Sequence, residues 1–253
     1  LGGKSANIIC EDLDTETFAK AVKSGVGGAF LNSGQTCLAM TRMLVPKSRL
    51  AEAETLAAEA ASAMKVGDPF EQTTALGPLA SAAQRDRVNG YIQKGIDEGA
   101  RLVAGGPGLP EGFNRGFYVK PTVFADVVPG MTIEREEIFG PVLQVVRSES
   151  LEEAVQLPSQ HQYGNGVAIF TQNGQAAREF ASQVNVGMVG INVPIPVPVA
   201  YHSFGGWKRS LFGDLSIYGP DGMRFYTRRK TITQRWPSAG VREGAVFSFP
   251  SSR

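Results

Sequence analysis

The residues best equipped for chemistry lie in the stretch Asn32-Ser33-Gly34-Gln35-Thr36-Cys37-Leu38-Ala39. A thiol there follows a short polar segment that contains a glycine, and it precedes the apolar run Met43-Leu44-Val45. Glycine lets the backbone turn tightly and brings amide N–H groups towards whatever the sulfur attacks. A thiol is the best intrinsic nucleophile among side chains and needs only a modest pKa depression to react with a carbonyl carbon. A Cys in an α/β chain is also commonly a small buried hydrophobe, so the residue type alone leaves both readings open. The second stretch is Glu134-Arg135-Glu136-Glu137-Ile138-Phe139-Gly140-Pro141-Val142. An acidic cluster running into an apolar strand would set a carboxylate at the strand's mouth, where clefts of open α/β sheets form. Its alternative is a solvated loop in which one acid caps a helix. His161 and His202 could each form a dyad with Cys37, although ordinary loop positions account for both. Lys208 or Arg209, beside Trp207, could hold an anionic substrate or be solvated loop charge.

The elements that would position these groups alternate. Ser5–Cys10 reads as a short buried strand in which Cys10 is packing, and Asp14 or Thr15 caps a helix to about Ser24. Met43–Pro46 is a second strand, and Arg49–Lys65 an amphipathic helix with Leu50, Leu56 and Met64 on its apolar stripe. Ala82 to about Gly99 is a further helix, followed by the strand Arg101–Ala104. Gly105-Gly106-Pro107-Gly108 matches neither a dinucleotide nor a P-loop spacing and reads as a turn. Phe117–Phe124 is a strand pair or extended connector, and Val142–Val146 a strand. Leu151–Leu157 is a helix broken at Pro158-Ser159-Gln160. Val167–Phe170 and Gly187–Asn192 are strands around a helix over Ala176–Val184. Alternate prolines make Pro194–Pro198 an extended wall. Phe225–Trp236, rich in β-branched and aromatic residues, reads as a terminal strand that adds to a partner's sheet, or as an edge charged against pairing. This rhythm predicts an α/β fold: a mostly parallel, doubly wound sheet with helices on both faces.

Bulk properties exclude several classes. A chain of 253 residues can bury a sizeable core, and a formal net charge of +1 gives no electrostatic case for nucleic acid or an anionic membrane. Two cysteines form neither a disulfide framework nor a metal cluster, so a reducing, cytoplasmic setting is expected and no metal site. No run approaches the roughly 18 apolar residues of a membrane span. The opening Leu1-Gly2-Gly3-Lys4, without an initiator Met, reads as a cut end.

Four motifs resemble the aldehyde dehydrogenase superfamily in order and approximate spacing: Leu1-Gly2-Gly3-Lys4-Ser5, Gly34-Gln35-Thr36-Cys37, Glu136-Glu137-Ile138-Phe139-Gly140-Pro141 and Phe204-Gly205-Gly206-Trp207-Lys208. The resemblance implies that Cys37 is the thiol that attacks an aldehyde, with its own backbone N–H as half of the oxyanion hole. It implies that Glu137 grips a cofactor ribose with Phe139 beside it, and that Asn192, Phe204 and the Pro194–Ser203 loop face the substrate. The implied hydride acceptor is NAD or NADP, and the implied acyl acceptor is water or coenzyme A. It also implies that the nucleotide-binding half, the general-base Glu and the Asn completing the oxyanion hole lie before residue 1. The expected organisation is a catalytic domain over 1–223, a strand over 224–236 that joins a second subunit, and a tail over 237–253. From His161 onward the motifs are similar to methylmalonate-semialdehyde dehydrogenases, whereas the first ~150 residues are similar to acid-releasing members. That contrast suggests a spliced gene joined near residues 155–162, of natural or engineered origin. Two other readings remain: ester cleavage at Cys37 without a cofactor, and an inactive folded scaffold for association.

Overall fold

Residues 2–234 and 236 are described by a computed structural model of the chain. Strand β1 (Ala6–Ile9) leads into helix α1 (Thr15–Phe30), then β2 (Arg42–Pro46) and α2 (Leu50–Ser62). Helix α3 (Ala82–Asp97), β3 (Arg101–Ala104), β4 (Thr122–Ala125) and the short α4 (Thr132–Arg135) follow. β5 (Val142–Ser148), α5 (Leu151–Gln160), β6 (Tyr163–Gly164), β7 (Gly166–Phe170), α6 (Gly174–Gln183) and β8 (Met188–Ile191) complete the main sheet region. β9 (Trp207–Lys208) and α7 (Gly219–Tyr226) come last.

Seven strands form one sheet in the order β3-β4-β5-β2-β1-β7-β8. All its pairings are parallel except β3 with β4. Alternation along each strand divides the core in two. Ile9, Met43, Val45, Leu143 and Val145 face α1 and α2, which contribute Phe18, Val22, Ala53 and Ala57. Ile8, Leu44, Phe124, Val146 and Ile169 face the other layer, where α3, α5 and α6 contribute Val88, Ile92, Ala154 and Phe180. The doubly wound α/β architecture is therefore present.

Three elements depart from expectation. Helix α1 continues past Ser24 because Gly25 is needed where the helix meets the sheet: a Cβ there would lie 2.5 Å from Asn7 Nδ2 and 2.7 Å from Met43 Cε. Pro158 does not break α5 but lies inside it, near the C-terminal end. Ser159 Oγ donates to Val155 O at 2.6 Å, and Lys208 Nζ donates to the carbonyls of Pro158 and Ser159 at 3.0 and 3.1 Å. A cation on the last carbonyls offsets what the proline removes. The expected strand over Phe225–Trp236 is corrected at its first two residues. Phe225 and Tyr226 end helix α7, which begins with a proline in its first turn and carries an Arg224–Asp221 ion pair at 3.2 Å. Residues 227–234 join no ladder among the described residues. The tail expected over 237–253 lies outside the described residues.

The segments of interest all enter at the amino ends of the parallel strands: Gly3 before β1, Cys37 before β2, Glu137 before β5 and Asn165 before β7. Open α/β sheets usually bind ligands at the carboxyl ends instead. That edge here holds a crevice of about 240 Å³ lined by Cys10, Glu11, Asp12, Ser148, Glu149 and Thr171 among others. Asp12 is already engaged, accepting from Thr171 Oγ1 and Gln172 N, both at 2.8 Å.

Candidate active site

The thiol turn is built from left-handed backbone. Asn32, Ser33 and Gly34 have φ of 52, 54 and 72°. Gly34 is obligatory, because a Cβ there would lie 2.1 Å from Gly140 O. The turn carrying Cys37 is thereby pressed against the loop carrying Glu137. Two more bonds anchor it: Ser33 Oγ donates to Gly77 O, and Ala80 N donates to Gln35 Oε1, each at 2.9 Å. Cys37 emerges exposed, whereas Leu38, Ala39 and Met40 behind it are buried.

Gly2 and Gly3 form a wall between the Cys37 backbone and the Glu137 carboxylate. Gly3 N donates to Glu137 Oε1 at 3.0 Å. On the same residue, a Cβ would lie 2.9 Å from Cys37 O and 3.2 Å from Asn165 Cβ. Glu137 and the Cys37 peptide thus flank one dipeptide. The three acids of the motif divide between the two readings of it. Glu134 is buried and pairs with Arg42 at 2.8 Å, while Glu136 is exposed and accepts from Tyr91 OH at 2.6 Å. Glu137 alone is left half-buried beside the glycines. Phe139 sits at φ 59°, a strained conformation for an aromatic residue, and Gln84 Nε2 donates to its carbonyl at 2.8 Å.

Beneath this wall lies a buried layer of charge. Arg42 Nε donates to Lys4 O at 2.9 Å. The Lys4 ammonium is fully buried, with no hydrogen-bond partner among the described residues. Burial, and next the Arg42 guanidinium, bring it down to about 7 against the opposing pull of Glu134 and Glu137. Lys208 falls to about 8 through burial and then Arg42. It is a helix cap rather than a free anion-binding group.

Other expected residues lie elsewhere. Asn192 is drawn away from Cys37: its amide accepts from Thr171 N at 3.0 Å and donates to Thr171 O at 3.1 Å, beyond the carboxyl end of β7. Asn165, which touches Cys37 O, precedes the amino end of that strand. Of the proline wall, Pro196 comes nearer: a Cβ on Gly166 would lie 2.6 Å from Leu38 and 3.6 Å from Pro196. Phe204 is half-buried and stacks on Tyr218, with ring centroids 5.0 Å apart. No hydrogen bond among the described residues joins either histidine to Cys37. His161 accepts from Tyr163 N at 3.1 Å, and burial followed by Arg42 and Lys4 holds its imidazole down at about 3. His202 is exposed. Cys10 is packing, its thiol pushed up to about 12 by burial and then by Asp12.

Sequence reasoning passed over two residues. Asn165 Nδ2 donates to Cys37 O at 3.1 Å. Ser210 Oγ donates to Gly2 O at 2.6 Å and accepts from Gly164 N at 3.1 Å. The one available signal for Asn165 was a polar amide between two glycines, Gly164 and Gly166, at a strand start.

The fold and the site together define a class. A profile of the "Aldehyde dehydrogenase family" matches residues 1–232, and the chain belongs to that family. The malonate-semialdehyde dehydrogenase of Pseudomonas aeruginosa is 49% identical over 254 residues, covering 99% of this chain and 50% of that protein. Among solved structures, the methylmalonate-semialdehyde dehydrogenase of Oceanimonas doudoroffii superposes with a TM-score of 0.89 at 47% identity, covering 96% of this chain and 49% of that one. A Cys-to-Ala mutant of aldehyde dehydrogenase C from Pseudomonas syringae, complexed with NAD+ and octanal, gives 0.83 at 47%, covering 89% and 45%. The chain spans about half the length of the curated relatives it matches. The splice expected near residues 155–162 is not supported, since one relative is similar through that region and α5 runs across it unbroken. No helix among the described residues is long and apolar enough to cross a membrane.

Proposed function

We propose that this chain supplies the thiol chemistry of a nicotinamide-dependent oxidation of an aldehyde, with a malonate-type semialdehyde as the substrate class. The carrying observation is the exposed Cys37, whose backbone carbonyl lies on the Gly2–Gly3 dipeptide that also holds the Glu137 carboxylate. The Cys37 sulfur attacks the aldehyde carbon, and the carbonyl electron pair moves to oxygen to give a thiohemiacetal. The backbone N–H of Cys37 faces that oxygen as one donor of the oxyanion hole. The residues present suit a cofactor: Gly2 leaves Glu137 Oε2 uncrowded, so the carboxylate can accept from ribose hydroxyls, with Phe139 alongside. A nicotinamide, when bound, would accept the hydride from the thiohemiacetal carbon and leave a thioester on Cys37. The acyl group then leaves Cys37 for water or coenzyme A. Phe204 and the loop around Pro196 flank the substrate, and Asn192 holds that loop's base through Thr171. The relatives named for malonate and methylmalonate semialdehydes support the substrate class. We further propose that residues 227–236 associate with a second copy, because Ile232 and Trp236 are 68% and 84% exposed.

A thiol so placed also acylates from an activated ester, with no hydride transfer required. Incubation with p-nitrophenyl acetate should release a burst of about one p-nitrophenolate per chain, followed by slow turnover. The Cys37→Ala variant should show no burst. Equal bursts from the two proteins would exclude Cys37 as the nucleophile.

A further inference from the structure

We infer that Asn165 is a positioning residue for the Cys37 peptide, setting the N–H that receives the oxyanion. The inference rests on the proposed thiol chemistry and adds a residue to it. Asn165 is 2% exposed and immediately precedes β7, the neighbour of β1 in the sheet. Its side chain packs closely against two glycines. A Cβ on Gly3 would lie 3.2 Å from Asn165 Cβ, and a Cβ on Gly206 would lie 2.9 Å from Asn165 Cα and 3.0 Å from its Oδ1. Only the NH2 end of the amide can face a carbonyl, and it donates to Cys37 O at 3.1 Å. That carbonyl belongs to the residue whose own N–H is the proposed donor, so holding it restricts rotation of Cys37 about its backbone.

The other end of the amide argues against a purely structural role. Asn165 Oδ1 is buried with no hydrogen-bond partner among the described residues. A buried amide with an unsatisfied oxygen costs stability that an apolar side chain of similar size would not. Packing alone therefore does not call for Asn here, whereas orientation of the Cys37 peptide does.

The contrast between two reactions of one sulfur provides the test. Ester acylation builds negative charge on a carbonyl oxygen and uses the oxyanion donor. Alkylation by iodoacetamide displaces iodide at a saturated carbon and does not. Asn165→Leu and Asn165→Ala both remove the donor, one filling the space and the other opening it. The p-nitrophenyl acetate burst rate should fall about tenfold in each, less than the 10²–10³ for deleting a direct donor. The iodoacetamide rate should stay within about twofold. The Asn165→Leu chain should melt at or above the parent temperature, and Asn165→Ala decides the matter should Leu not fold. Unchanged burst rates would overturn the inference, as would parallel loss of acylation, alkylation and melting temperature. A burst that survives Cys37→Ala would instead sink the thiol reading itself, and this proposal with it.

Discussion

Cys37 and Cys10 differ in surroundings more than in kind. Cys37 is exposed, while Cys10 faces a crevice lined with Glu11, Asp12 and Glu149. With its thiol pushed up to about 12, Cys10 should resist alkylation at neutral pH, so one equivalent of iodoacetamide should label Cys37 alone. Acid sensitivity also belongs to single residues. His161 is held neutral down to about pH 3, whereas the unfolded imidazole titrates near 6.5. Between those values the unfolded chain binds the additional proton, so stability must rise with pH across that window. Lys4 acts in the same direction between about 7 and 10.5. Urea unfolding at stepped pH should show the lower slope, and His161→Gln should flatten it; an unchanged slope would refute the assignment. Buried charge gives a further expectation. Glu134→Gln would leave Arg42 buried and unpaired, and should cost about 3–5 kcal/mol in chemical denaturation.

At the scale of elements, the site depends on close contact between two loops. Gly34→Ala would place a methyl group 2.1 Å from Gly140 O at a φ of 72°. It should destabilise by more than about 3 kcal/mol and abolish the acetyl burst, which calorimetry and stopped-flow absorbance would check together. The alternation Ile8 against Ile9, and Leu44 against Met43 and Val45, makes the strands legible in the sequence. Helix ends were less legible. Gly25, Gly27 and Gly28 look like a stop to α1, yet the close packing of Gly25 on Asn7 and Met43 carries the helix through. Pro158 looks like a break in α5, yet Lys208, 50 residues on, caps the carbonyls concerned. Phe225 and Tyr226 read as strand by composition, whereas the Gly219-Pro220 start nucleates a helix that includes them. In the first two cases a contact distant in sequence overrides the local preference, and in the third a local helix start does.

Over the whole molecule, the sheet presents two edges with different uses. Its amino edge gathers Gly3, Cys37, Glu137 and Asn165 from segments spread along the chain, while acids line the carboxyl crevice, Asp12 among them held by Thr171. Cys37 and Glu137 could be read in advance because each lies in a motif with its own chemistry. Asn165 and Ser210 could not, because their partners stand 128 and 208 residues away. Asn192 shows the converse: a motif residue whose amide the fold commits to Thr171. The association proposed for residues 227–236 is a property of this scale. Ile232→Lys should shift the chain towards monomer in sedimentation velocity while leaving the acetyl burst intact.

Mass spectrometry of the acetylated chain reads directly which atom becomes acylated. After a short incubation with p-nitrophenyl acetate, acid quenching and digestion, one acetyl group should be found on the peptide containing Cys37 and none on that containing Cys10. An acetyl group on Cys10, or one scattered over lysines with Cys37 unmodified, would contradict the assignment of Cys37 as the nucleophile.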